Sequence, residues 1–418
     1  MFWEEEAAAQ GVGPVRTSGA VPEFDPVAFG ARLRQARRAA GWKQQPLARE
    51  LDVTQPTYSR MESGRIAAGR VTSTFLEDLS RLLGRTMSWF LVGSPVRDRV
   101  RLAARRTDEG EVRVRAERVL DLLEMDAELD DLTEFADLEG AALESGGRST
   151  TWTAHAVKAP AHPSRQQGRN LAEKLRGDLN LGDGPIEDLP DLLDGVLGVD
   201  AAVLALGDRL SAVAAFDDER SVALLAVNVS DTYARQRFSF AHEVAHLLYG
   251  EGHAYDGEHG ASRSPLEVRA DKFAQHLLLP VSGIQTWAAA RGYAPRQRFS
   301  FEDACRLADE FGVSPQTAWI ALDDMGVAPL GPFPTAAEAA VVAGHLARHT
   351  RRERDRRVER IPLRLEGRVL EAFRQGYLGA EATARILGQA RDLLEDVTSV
   401  VAAPAPRRTR DSRVPAHR

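Results

Sequence analysis

A single cysteine, Cys305, stands in 418 residues. One thiol builds neither an intramolecular disulfide framework nor a zinc ribbon based on thiolates, and it fits a reducing compartment. Long apolar runs are missing too, since none approaches the ~18 residues that a membrane-spanning helix needs. The opening residues, MFWEEEAAAQ, are acidic and lack the basic-then-apolar order of a signal peptide. The expectation is a cytoplasmic protein with no membrane partner. What is present is ordinary for a globular chain: 43% hydrophobic and 28% charged residues exclude wholesale disorder. At roughly 100 to 200 residues per domain, the length implies two or three domains.

A net charge of -7 argues on average against a phosphate-rich partner. The average conceals a division. Between Val27 and Arg70 nine basic residues face three acidic ones, a local balance of +6, whereas Asp121 to Glu144 holds ten acids and no base. The first stretch suits a nucleic-acid backbone and the second repels it.

Periodicity orders the chain. Residues 1-24 carry Gly, Pro and Ala without a period and read as a flexible arm. Apolar residues at Phe29, Leu33, Ala36, Leu47, Leu51, Tyr58, Met61, Phe75 and Leu79 recur at helical spacings, giving a small all-helical domain over 25-92. A helical acidic connector is expected over 93-145 and a linker over 146-165. Then come helical patterns at Leu171-Leu179 and Leu189-Leu197, strand-like runs at Val199-Leu206, Ser211-Phe216 and Val222-Val229, and helices at Arg235-Tyr249, Pro265-Leu279, Phe301-Phe311 and Pro315-Met325. This second domain, 166-328, is α+β with a small sheet. A helical C-terminal region over 329-400, helical over 331-350 and again over 362-397, and a disordered tail over 401-418 complete an α+β multidomain chain.

Within 43-65 the sequence reads KQQPLARELDVTQPTYSRMESGR. Pro46 is tolerated in the first turn of a helix, Asp52-Val53 make a tight turn, and Thr54 caps a second helix with Pro56 near its start. Gln44-x-x-Leu47-Ala48 before the turn, and the phrase Ser59-x-x-Glu62-x-Gly64, resemble the Cro/CI-like, or XRE-type, helix-turn-helix regulators. Asp52 stands where that family commonly has glycine, and Asp tolerates a left-handed turn. The resemblance implies a second helix lying in the major groove of a double-stranded DNA operator, with Gln55 and Arg60 reading base edges. It further implies Gln44 on phosphate, with Thr57 and Ser59 as additional contacts. The competing reading is a plain helical bundle with a solvated arginine face.

The second motif is His242-Glu243-Val244-Ala245-His246. On a helix the two imidazoles leave one face about 6 Å apart along the axis and can bind one zinc, with Glu243 beside them as general base. A catalytic zinc needs a third ligand. Glu267 and Asp271, four apart downstream, are candidates: one carboxylate ligates while the other orients a histidine through its second ring nitrogen. His253 and His259, in a glycine-rich loop, are competitors, whereas His276 lies off the face. The phrases Arg237-Phe238, Ala241-His242-Glu243, and Glu267-x-x-Ala270-Asp271-x-Phe273-Ala274-x-x-Leu277-Leu278-x-Pro280 resemble the ImmA/IrrE family of zinc metallopeptidases, with Ala245 in place of a common glycine. Flanking signals, Asn228 after a strand and Phe311-Gly312-Val313-Ser314-Pro315 before a helix, extend the likeness. It implies a zincin-like fold, Glu267 as third zinc ligand and Asp271 as its supporting residue.

Arg351 to Arg360 alternates arginines with Glu353, Asp355 and Glu359, which reads as a solvated helix laced by ion pairs before it reads as a second DNA patch. Residues 361-394 resemble the small helical module that often ends such fusions. The combined expectation is a transcriptional regulator with a zinc metallopeptidase-like domain that cleaves a regulatory protein. The alternative is a non-proteolytic regulator or antitoxin whose pocket senses a signal or docks a toxin partner. The expected partners are operator DNA, a protein substrate or toxin, and a second copy of the chain.

Overall fold

The computed structural model describes residues 24-93, 96-104, 116-138, 151-158, 162, 164-208, 210-251, 264-294, 296-328 and 358-388. Residues 1-23 of the arm, His253, His259, residues 331-350 expected as helical, residues 351-357 of the arginine run, and the tail lie outside the described residues. The described residues fall into two compact units, one of 24-93 with 376-382, the other drawn from 96-375 with 383-388.

In the first unit four of the five described helices begin at a side-chain cap, the exception being the helix that starts at Gln44. Asp25 accepts from the amides of Val27 and Ala28 to start α1 (Pro26–Ala39). Thr54 accepts from the Thr57 amide to start α3 (Gln55–Glu62), which follows α2 (Gln44–Glu50). Thr72 and Thr86 do the same for α4 (Ser73–Leu83) and α5 (Met87–Val92). Phe29, Leu33, Leu47, Tyr58, Leu79 and Phe90 are fully buried at the centre. A methyl on Gly30 would lie 2.4 Å from the Met61 carbonyl oxygen, so glycine is what lets α1 and α3 approach this closely.

The second unit is built on a four-stranded sheet of order β1-β3-β4-β2, with β1 Arg101–Ala104, β2 Asp200–Leu204, β3 Ala212–Asp217 and β4 Val222–Asn228. β1 and β4 run antiparallel to β3, and β2 runs parallel to β4. β2, β3 and β4 are buried along their length, as continuous Val, Ala and Leu runs require. Helices α9 (Arg165–Asp178), α11 (Tyr233–Leu248) and α12 (Pro265–Leu278) pack with the sheet around one apolar core that includes Leu225, Phe240, Val244, Phe273 and Leu277. No helix among the described residues is long and apolar enough to cross a membrane.

From residue 96 on, the described residues of the segment expected as a helical acidic connector lie within this unit. They supply the edge strand β1, pinned by Arg99 to Asp217 (2.8 Å), and helix α7 (Glu117–Leu138). Three acids of α7, Glu124, Asp126 and Glu128, are buried. Asp126 pairs with Arg220 (2.6 Å), Arg364 (2.8 Å) and Arg368 (2.5 Å), and Asp130 with Arg220 and Arg368. Burial alone would raise the Asp126 pKa, but these arginines drive it far below the usual carboxylate range. These partner charges arrive from distant sequence. Arg360 leaves the expected solvated helix. Its backbone bridges Val203 on edge strand β2, and its guanidinium meets Asp194 (2.6 Å). Within the stretch read as helical over 362-397, the described residues form α16 (Leu363–Arg374) and α17 (Ala380–Leu387), with Gly376, at φ 80°, between them. Short helices α6 (Val96–Arg99), α8 (Trp152–His155) and α10 (Leu189–Leu192) lie earlier in the unit, and α13 (Val281–Ala290), α14 (Phe301–Phe311) and α15 (Pro315–Asp324) complete the path described between the site and residue 328.

Candidate functional site

In the first unit, Asp52 holds a left-handed φ of 50° and turns the chain from α2 into α3. The side chains on α3 then divide. Tyr58, Met61 and Glu62 are buried, Gln55 and Arg60 are exposed, and Thr57 and Ser59 are half-buried. Thr57 also closes on Thr54, oxygen to oxygen at 2.9 Å. Glu62 explains the motif phrase around it. Its carboxylate accepts from Arg37 Nε and Nη2 and from Gln44 Nε2 (2.7 Å), while Gln44 Oε1 accepts from Gln55 Nε2 at 3.1 Å. Burial would raise the Glu62 pKa, and the bonds from Arg37 and Gln44 outweigh it and lower it. Gly64, at φ 69°, lets the chain pass the Val27 backbone, where a methyl would meet Cα at 2.8 Å. Part of the local +6 is therefore internal: Arg37 is bound to Glu62, and Arg32 donates to the carbonyls of Phe90 and Leu91.

In the second unit, α11 is capped by Thr232 and buried from Phe240 through Leu248, so His242 and His246 sit inside the fold, one turn apart. α12 is capped by Ser264 with Pro265 at its first position, which places Glu267 in its first turn. The two helices bring one nitrogen of each histidine and the Glu267 carboxylate together within 4.8 Å. His242 Nε2 lies 3.1 Å from His246 Nε2, and these nitrogens lie 3.6 and 3.5 Å from the two Glu267 oxygens. His242 Nδ1 meets Asp271 Oδ1 at 3.0 Å and His246 Nδ1 meets Glu251 Oε2 at 3.2 Å. A carboxylate accepts, so each Nδ1 carries the proton and each Nε2 is left with a lone pair. Burial would depress the His242 pKa, but Asp271 and Glu267 outweigh it and raise it.

Two lone pairs and a carboxylate converge here in a buried volume, an arrangement that a cation reconciles. The spacing fits one: nitrogens about 2.05 Å from a tetrahedral zinc stand ~3.3 Å apart. Glu243 is buried beside them, and its Oε2 has no hydrogen-bond partner among the described residues. A buried carboxylate oxygen left unpartnered costs about 1 to 3 kcal/mol or more, which suits a group whose partner arrives with a ligand. His276 does not join the cluster. It is buried on α12, and burial drives its pKa down to about 4.

The flanking phrases have structural explanations. Arg237, fully buried, donates to the carbonyls of Ile186 (2.8 Å) and Glu187 and thereby ties that loop to α11. Asn228 Nδ2 holds the carbonyls of Gly207 and Leu210. Gly312, at φ 64°, ends α14, and Ser314 caps α15.

Two residues that sequence reasoning missed stand behind His246. Glu251 bonds it, and the Arg269 guanidinium, wholly buried over the Tyr249 ring at 3.8 Å, donates to the other Glu251 oxygen. A signal for Glu251 existed. Gly250, at φ 66°, ends α11 in a Schellman motif: the Gly250 amide bonds the Leu247 carbonyl and the Glu251 amide bonds the His246 carbonyl (2.8 Å). An acid in that position is necessarily beside His246.

Comparison with known families agrees with both halves. A helix-turn-helix domain family model matches residues 28-87, and a model described as an IrrE N-terminal-like domain matches residues 196-323, the span holding α11, α12 and their clustered side chains. No curated protein matches the chain.

Proposed function

We propose, from a chain that joins a helix-turn-helix domain to an IrrE N-terminal-like domain, that this is a DNA-binding regulator whose second domain is a zinc-dependent peptidase acting on a regulatory protein. The observation that carries the chemical half is the convergence of His242, His246 and Glu267, with Glu243 buried and unpartnered beside them. His242, His246 and Glu267 hold the ion, and Asp271 fixes the His242 ring. Bound there, zinc supplies electrophilic activation of water and of a peptide carbonyl. Glu243 takes the proton of the attacking water and delivers it to the departing amine, so that one carboxylate serves as base and then as acid. Its low-dielectric surroundings keep competing water away from that proton.

In the DNA-binding half, Gln55 and Arg60 face solvent and read base edges, while Gln44, tethered to Glu62, presents Gln55 and meets phosphate. Thr57 and Ser59 flank them as further contacts.

Glu243→Gln tests the reading. The change is nearly isosteric and removes no ligand, so zinc and operator binding should persist while cleavage of co-expressed neighbouring-gene products falls about 100-fold to 10,000-fold. Regulation in cells should then lock in one state. A variant that binds zinc and regulates as wild type does would replace the peptidase reading with a sensing or docking role.

A further inference from the structure

The Arg269 guanidinium is a fully buried cation with one hydrogen-bonding partner, Glu251; its Nε and Nη1 have none among the described residues. Such a group is a poor way to stabilise a core, because desolvation of the charge is only partly offset. Its placement is orderly all the same. One face of the guanidinium lies on Tyr249, which is anchored through its hydroxyl to the Gln167 carbonyl at 3.0 Å. Gly168 lets α9 press against α12 at Arg269 itself, since a methyl there would sit 2.2 Å from the Arg269 carbonyl oxygen. The turn at Gly250 then fixes Glu251 from the other side, so that one carboxylate oxygen meets Arg269 and the other meets His246 Nδ1.

We infer that Glu251, locked between Arg269 and the Gly250 turn, is a positioning residue for metal binding: it holds His246 in the tautomer and rotation that aim Nε2 at the ion. The inference rests on the zinc reading above and adds a residue pair to it. Asp271 performs the corresponding task for His242 from α12 itself, whereas His246 depends on a helix end and a buried arginine. The two histidines are therefore oriented by independent devices. Partners of this kind are worth about 10-fold to 100-fold in metal affinity.

The test is zinc affinity of the full-length chain, read by competition with a chromogenic chelator, together with the visible spectrum of the cobalt(II) form and the melting temperature of the metal-free protein. Glu251→Gln should weaken zinc binding about 10-fold to 100-fold and shift the cobalt spectrum. Glu251→Asp keeps the charge opposite Arg269 but withdraws the carboxylate from His246, so it should weaken zinc binding as well, and it carries the test should Glu251→Gln not fold. Wild-type affinity and spectrum in either folded variant, with only the melting temperature lowered, would mean that the pair is merely structural and would overturn the inference while leaving the zinc reading intact. Failure of the wild-type chain to take up zinc at all would overturn both.

Discussion

Glu62→Gln removes one charge from the centre of the helix-turn-helix unit, and its cost can be worked out. The Glu62 side chain is 2% exposed and its partner Arg37 12% exposed. The carboxylate accepts three hydrogen bonds, two from Arg37 and one from Gln44. Glutamine would place an amide donor against one of those donors and leave the guanidinium without its counter-charge. Breaking a buried pair costs about 3 to 5 kcal/mol, and the residual solvent access of Arg37 favours the lower end, ~3 kcal/mol. At ~1.4 kcal/mol per decade, that is about a 150-fold rise in opening of the unit. Native-state hydrogen exchange of the full-length protein reads it locally. Amides of α1 and α3 should exchange about 100-fold to 150-fold faster, and those of α11 and α12 should not change. The pH dependence has a definite sign. The folded pKa of Glu62 lies below its unfolded value of ~4.3, so the stabilisation is present above that pH and lost as pH falls through the folded value. The wild-type unit should therefore loosen in acid over that window and the variant should not. Less than about 3-fold change in α1 and α3 at neutral pH would refute the role given to Glu62.

Three further outcomes follow from the same reasoning. Arg60→Ala should cost about 1 to 3 kcal/mol at the operator and relax base preference, whereas Gln44→Ala should weaken binding to all sequences more evenly; equal small losses on specific and random DNA for both would remove the base-reading assignment. Asp126→Asn leaves Arg220, Arg364 and Arg368 short of their shared buried counter-charge and should destabilise the second unit by about 3 to 5 kcal/mol, measured by chemical denaturation monitored on that unit. Gly168→Ala should destabilise it by about 1 to 3 kcal/mol, because the obstacle is the Arg269 backbone, which cannot swing aside; wild-type stability would mean that α9 and α12 separate freely.

Local grammar made much of this chain legible. Thr54 announces a helix start through a side-chain acceptor, and that bond depends on a residue three positions away. The His242 and His246 pair follows from helical pitch alone. What escaped was set by distant chain. β1 is four residues, Arg-Leu-Ala-Ala, with no alternation, and it is a strand because β3 offers an unpaired edge and Asp217 binds Arg99. The burial of Asp126 on α7 was not readable, since its partners Arg364 and Arg368 lie 238 and 242 residues away. Helix α13 hides behind Gly283, a poor helix former whose missing side chain is needed where a methyl would meet the Asp183 carbonyl oxygen at 2.3 Å. Glu251 is an intermediate case: the turn that places it is local, but its buried cation comes from the next helix.

Zinc content per chain is the most direct measurement of the central claim. The wild-type protein and Glu243→Gln should each carry one zinc, while His242→Ala, His246→Ala and Glu267→Ala should each lose nearly all of it, because three side chains hold the ion and none can be spared. Full zinc in Glu267→Ala, with the metal lost instead on replacing His253 or His259, would contradict the ligand set and with it the site from which the proposed chemistry is derived.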